Sequence, residues 1–220
     1  MPQTKTPLRY PGGKSQLIPF VRHTINLNNL KDVVYCEPFS GGAGVAIDQL
    51  LNRESATIIL NDYDIAIYSF WYAVFNETDK LISTIEKTPV TISMWMEMHK
   101  IYQTLSCLNE YNFELAFSTF FLNRTNRSGI ITGGPIGGLN DKNSYQISCR
   151  FNKPNLINKI QLIATQHHRV RLYHMDAIDL IRTVLIDQPK EQLFVFLIRL
   201  IINKEKNYIK MLLMMINICN

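Results

Sequence analysis

No Cys-x-x-Cys pair occurs in the 220 residues: Cys36, Cys107, Cys149 and Cys219 are scattered, with no histidine beside them at metal-ligand spacing. Zinc ribbons and disulfide-stapled scaffolds are thereby excluded, and the thiols read as reduced, cytosolic ones. Long apolar runs are also missing. The longest, residues 193–202, is interrupted by Arg199 and falls far short of the roughly 20 residues a membrane span requires. The amino terminus is polar and rich in Gly and Pro where an export signal needs an apolar core, so a cytoplasmic protein without membrane association is expected. Repeats and low-complexity tracts are absent, and the five histidines show neither triad nor ligand spacing, so no metal is expected. What remains is globular in composition, 46% hydrophobic and 19% charged. The modest basic excess, +5 with a pI of about 9.0, suits a polyanionic partner.

The order of elements points to an α/β fold. Residues 32–39, branched and aromatic and ending in Pro38, read as a buried strand running into a glycine turn. Residues 41–44, Gly-Gly-Ala-Gly, open an apolar helix over 45–51, and residues 56–61 form a second strand that stops at Asp62 and Asp64. Strand, turn, helix and strand in this order are the local pattern of a parallel sheet. Residues 65–121 then turn helical, with Phe70, Trp71, Phe75, Trp95, Tyr102, Phe113, Phe117 and Phe121 as core aromatics. Residues 123–150 are polar and glycine-rich, too long for an ordinary connector. A helix near 154–166 and strands near 169–175 and 192–197 complete the pattern.

Individual motifs narrow the chemistry. A dinucleotide fingerprint needs a third glycine where Ile47 stands, and a P-loop ending in Gly13-Lys14-Ser15 needs one where Leu8 stands. Neither phosphate cradle is specified. A tight glycine turn followed, roughly 20 residues on, by a carboxylate at the end of the next strand suits S-adenosylmethionine, which has ribose hydroxyls and no phosphates. Asp62 occupies that place. Lys14 can reach a ligand carboxylate as a point charge. Within 123–128, Arg suits phosphates and guanine edges and Asn suits adenine edges, although a helix terminus with a surface loop has the same composition. Asp176 reads as a turn carboxylate.

Four motifs in order, Leu8-Arg-Tyr-Pro-Gly-Gly-Lys14, Cys36-Glu-Pro-Phe-Ser-Gly-Gly42, Leu60-Asn-Asp-Tyr-Asp64 and Asn123-Arg-Thr-Asn-Arg-Ser-Gly129, resemble those of the Dam-like (D12 class) DNA adenine-N6 methyltransferases. The resemblance runs from about residue 7 to 197. It implies a Rossmann-like S-adenosylmethionine-dependent methyltransferase domain with a helical target-recognition insert, acting on double-stranded DNA, with a cognate restriction endonuclease as genetic partner. By the same resemblance Tyr10, Gly12, Lys14, Glu37, Pro38, Phe39, Ser40, Gly41 and Asp62 surround the cofactor. Tyr10 stands where many relatives carry Trp, which still offers a ring for stacking. Arg124, Asn126 and Arg127 are the implied DNA contacts. The implied division is 1–73 for cofactor binding, 74–159 for target recognition, 160–197 for the rest of the catalytic domain and 198–220 for a tail.

One element of the pattern is missing. The family orients the adenine amine with the Asp and a Pro carbonyl of an Asp-Pro-Pro-Tyr motif after the fourth strand, once the base has been flipped out. Here Ile198-Arg-Leu-Ile-Ile202 follows that strand. An aliphatic Ile198 accepts no hydrogen bond, so an amine buried against it would lack a partner and no methyl transfer is expected. The alternative role is a non-catalytic DNA- or S-adenosylmethionine-binding remnant. A chain ending after its fourth strand would also leave residues 192–197 as an uncovered sheet edge and a marginal fold.

A lost base would account for the replacement. Asp-Pro-Pro-Tyr-Tyr can be encoded GAT CCG CCT TAT TAT; without its first G this becomes ATC CGC CTT ATT AT, which translates as Ile-Arg-Leu-Ile and then Ile. Residues 203–212, returned to that frame, permit Lys-Gln-Gly-Lys-Glu-Leu-Tyr-Lys-Asn-Ala, which resembles the family sequence after the motif. Residues 198–220 would then be out-of-frame translation. Sequencing the gene is expected to show that one base inserted near codon 198 restores the motif; a gene that no single-base change restores rules the frameshift out.

Overall fold

A computed structural model describes residues 4–9, 14–139, 146–203 and 208–216, with side chains through residue 197. The chain divides into two compact units, one formed by 14–63 and 168–220, the other by 1–13 and 64–167. Residues 74 and 159, the expected ends of the insert, lie in helices Ile65–Asn76 and Lys153–Ala164.

The first unit is the α/β part. Helix α1 (Ile18–Leu27) precedes strand β1 (Val34–Glu37), helix α2 (Gly44–Leu51) and strand β2 (Thr57–Asn61). Strand β3 (Val170–Tyr173), the short helix α3 (Ala177–Leu180) with its π-helical turn (Ile181–Leu185), and strands β4 (Leu193–Asn203) and β5 (Tyr208–Ile216) follow the insertion. The strands lie in the order β3-β2-β1-β4-β5. The first four are parallel, with Cys36 opposite Ile59 on one side and Val195 on the other. β1 is buried along its whole length, as its unbroken apolar run requires. Val34, Cys36, Ile59, Leu193 and Val195 form one apolar cluster with Leu180 and Leu185, and the Tyr35 ring stacks on Phe194 at 5.8 Å.

One expectation is corrected here. β4 does not stop at Leu197 and its outer edge is not bare: its backbone continues to Asn203 and pairs antiparallel with β5, Val195 opposite Ile216 through Asn203 opposite Tyr208. Residues 208–216 are rich in Ile, Leu and Met, a composition compatible with strand pairing.

The second unit is helical: α4 (Ile65–Asn76), α5 (Thr78–Lys87), α6 (Ile92–Leu105), α7 (Phe113–Thr125) and α8 (Lys153–Ala164). Side-chain oxygens start four of them. Asp64 accepts from the Ala66 amide at 2.9 Å, Thr91 from Met94 at 3.2 Å, Asn112 from Leu115 at 3.1 Å and Asn152 from Asn155 at 3.0 Å. α7 is buried on nearly every side, from Leu115 to Asn123, and forms the centre of the unit. Phe70 of α4 stacks on Phe120 at 5.6 Å, and Phe151 meets Phe120 edge-on at 5.5 Å. Of the expected core aromatics, Phe70, Trp71, Trp95, Phe117 and Phe121 are buried; Phe75, Tyr102 and Phe113 are half-buried. Among the described residues no helix is long and apolar enough to cross a membrane.

Where α4 meets α5, the Tyr111 hydroxyl donates to Glu77 and Lys80 lies 2.9 Å from the same carboxylate. The Tyr111 bond, with the Lys80 contact behind it, holds the Glu77 carboxyl below its usual range. A depressed folded-state pKa contributes stability above the unfolded value and loses it as pH falls through the folded one. Tyr111→Phe is therefore expected to lower the unfolding free energy at neutral pH by less than about 1 kcal/mol and to flatten its decline in acid. Urea melts from acid to neutral pH check this.

Candidate functional site

Strand order makes β1 the switch point of the sheet: the chain moves from β1 to β2 to β3 on one side and returns to β4 on the other. A crevice opens at the carboxyl ends of strands where the order reverses, so the turn leaving β1 is the natural ligand position. That turn, Pro38 to Ala43, carries the residues singled out from the sequence.

Asn61, the last residue of β2, holds the turn in place. Its buried amide donates to the Pro38 and Met175 carbonyls, both at 3.0 Å, and accepts from the Met175 amide at 3.1 Å. Its own carbonyl accepts from Ser40 N–H at 2.9 Å. Four polar contacts from one residue thus join the carboxyl ends of β1, β2 and β3. Next to it, the half-buried Asp62 accepts from the Gly41 amide at 2.7 Å. Gly41 has φ 48, in the left-handed region that glycine enters without strain. Gly44 opens α2 where a Cβ would lie 2.8 Å from Ser15 Oγ, so the glycine admits the chain after Lys14.

Beneath the turn lies a charged pair. Glu37 is fully buried; Oε1 accepts from Ala46 N–H at 2.9 Å and from the Tyr35 hydroxyl at 3.2 Å, and Oε2 lies 3.6 Å from Lys14 Nζ. Lys14 also donates to the Phe39 carbonyl at 2.5 Å. Burial raises the Glu37 carboxyl above its ordinary value, opposed by Lys14 and the Ala46 amide. These two residues brace the turn from below. The Ser40 hydroxyl, fully buried within the turn, has no hydrogen-bond partner among the described residues. Lys14, Glu37, Pro38, Phe39, Ser40, Gly41 and Asp62 are therefore gathered at one strand end, while Tyr10 and Gly12 lie outside the described residues. Asp176 caps α3, accepting from Ile178 N–H at 2.7 Å.

The polar stretch after α7 forms a hairpin-like loop, with Arg127 N–H on the Gly134 carbonyl at 3.1 Å and Ile136 N–H on Thr125 at 2.8 Å. Its three implied DNA contacts differ in placement. Asn126 is fully buried, accepts from Trp95 Nε1 at 2.6 Å and donates to the Ile130 and Ile131 carbonyls at 2.9 and 2.8 Å. Both donor hydrogens are committed to the loop carbonyls. Arg124 is turned inward to the Arg150 and Pro7 carbonyls. Arg127 alone of the three is exposed. Asn123, unassigned from the sequence, accepts from Arg9 N–H at 2.7 Å and donates to the Arg9 and Gly129 carbonyls. Gly129, at φ 76, leaves no room for a Cβ, which would meet the Arg9 carbonyl at 2.6 Å.

Asn61 gave one sequence signal, a polar residue at the last position of an apolar strand. Asn61→Leu leaves the Pro38 carbonyl and both Met175 backbone groups without their partner, at about 1–3 kcal/mol for each group that stays buried. A clear fall in the thermal midpoint is expected; a melt matching the parent would show that the clamp is dispensable.

The model of the D12 class N6 adenine-specific DNA methyltransferases matches residues 10–187. No curated protein matches the chain. A match over most of the chain, on a parallel sheet whose switch point carries the glycine turn, means that this chain belongs to the D12 class of adenine-N6 DNA methyltransferases, a family of S-adenosylmethionine-dependent enzymes.

Proposed function

We propose that this chain binds S-adenosylmethionine at the β1–α2 turn and duplex DNA through its helical unit, residues 74–159 included, without transferring a methyl group. The observation that carries the cofactor reading is the charge of the turn. Lys14 and Glu37 pair with each other beneath it, and Asp62 adds a further negative charge at its mouth. Such a site suits a cationic, hydroxyl-bearing ligand and repels a pyrophosphate. Asp62 would accept from ribose hydroxyls, and the Ser40 hydroxyl and the backbone at Gly41 would line the turn. The bound cofactor supplies an electrophilic methyl on a sulfonium centre.

The methyl-accepting side supports inactivity. β4 continues as a strand through 198–203, so the position where relatives place a carboxylate and two prolines carries Ile198, Arg199 and Leu200 in extended backbone. Nothing there orients an adenine amine for in-line attack. On the DNA side Arg127, exposed on the loop, is the residue positioned to reach a base edge or phosphate.

Calorimetry with S-adenosylmethionine is expected to register binding that Asp62→Ala weakens by about 10-fold or more, as loss of a charged hydrogen-bond acceptor implies. Labelled-methyl assays on adenine-containing duplexes are expected to show no incorporation, while a DNA titration shows salt-dependent binding. Methyl incorporation would overturn the inactive reading; no heat with folded protein would overturn the cofactor site.

A further inference from the structure

We propose that the outer edge of β5 pairs antiparallel with the β5 of a second copy of this chain, joining the two sheets into one across a two-fold axis. Neither the cofactor nor DNA enters this pairing.

The sheet has two ends, β3 and β5. A strand at a sheet end presents N–H and C=O groups that no ladder satisfies, and these invite another strand. The two ends differ in what guards them. β3 spans only Val170–Tyr173, and Arg171 within it is exposed, its guanidinium donating to Gln188 at 3.1 Å. Short length and a charge are the devices that keep an edge from pairing. β5 is guarded far less. It runs for nine residues, Tyr208–Ile216, contains no proline, glycine or acid, and carries Lys210 as its single charge. Low charge without proline or glycine is the composition of strands that pair between chains. β4 holds one side of β5 extended, from Val195 opposite Ile216 to Asn203 opposite Tyr208. Among the described residues no strand lies on its other side.

Self-complementarity selects the occupant. Two identical strands in antiparallel pairing are exchanged by a two-fold axis, so each copy offers the same edge and the assembly closes at two. Pairing about Leu212 sets Tyr208 opposite Ile216 and Lys210 opposite Met214, so the two lysines do not oppose one another and every residue of the strand has a partner. Pairing of β5 with the β3 of another copy is head-to-tail and open-ended, and β3 offers four residues of ladder against nine. The closed pair doubles the five-stranded sheet and leaves only the guarded β3 edges at its ends.

Sedimentation velocity and hydrogen exchange of the full chain over a concentration series test this. The expected species has twice the 25.5 kDa mass of the chain, and its formation slows amide exchange within 208–216 while leaving 170–173 unchanged. Leu212→Lys and Leu212→Glu each place like charges directly opposite in the pair, which is expected to weaken association by about fivefold. Their equimolar mixture sets Lys against Glu and restores parent affinity, a rescue that a general loss of stability at 212 would not show. A chain that is monomeric at every concentration, or a dimer whose 208–216 amides exchange as in the monomer, overturns the proposal, and both are read on the parent whether or not a variant folds. Folded variants whose mixture associates no better than either alone overturn the pairing about Leu212, and growth beyond the dimer overturns its closure.

Discussion

The carboxamide of Asn61 is the contact on which the turn end of the sheet depends. Parallel strands end in carbonyls and amides that the ladder no longer satisfies, and a glycine-rich turn has few side chains with which to satisfy them. One buried amide supplies partners to both neighbouring strands at once, accepting from and donating to Met175 while holding Pro38. With its own carbonyl on Ser40, it sets the height at which the turn leaves β1. Asp62 follows directly, so the residue that closes the sheet also places the carboxylate that accepts from the Gly41 amide. Lys14 and Glu37 complete the support from below, a buried pair whose hydrogen bonds run into the α2 backbone and the Phe39 carbonyl.

Much of this was legible in the sequence because local rules and the tertiary fold agree there. An unbroken apolar run reads as a strand buried on both faces, and β1 is one. The spacing from the glycines to Asp62 is a property of strand, turn and helix lengths, so it survives folding unchanged. Asn61 was less legible, since an asparagine before an aspartate at a strand end has the composition of any turn. Its role appears only when β3, more than a hundred residues later, arrives to offer Met175 as a partner.

The recognition loop shows the opposite case. The family resemblance implied DNA contacts at Arg124, Asn126 and Arg127, but side chains of the same chemistry also stabilise a long polar loop. Asn126 and Asn123 hold carbonyls that the irregular backbone leaves without helix partners, and Trp95, read as a core aromatic, is also the donor that fixes Asn126. Sequence adjacency cannot separate these roles, because buried Thr125 and Asn126 adjoin exposed Arg127 and Ser128. Arg9, embedded in an amino-terminal motif, became visible only through its contacts with residues more than a hundred positions away.

The course of β4 has a consequence for any attempt at reversion. The backbone runs extended through 198 and 199, where a proline pair would bend it. Reinstating an acid at 198 by point substitution would set it within an eleven-residue strand laced to β5, with the bend itself still missing. An acid at 198 would need a new backbone path, and not merely a new side chain, to stand in a proline-bent turn.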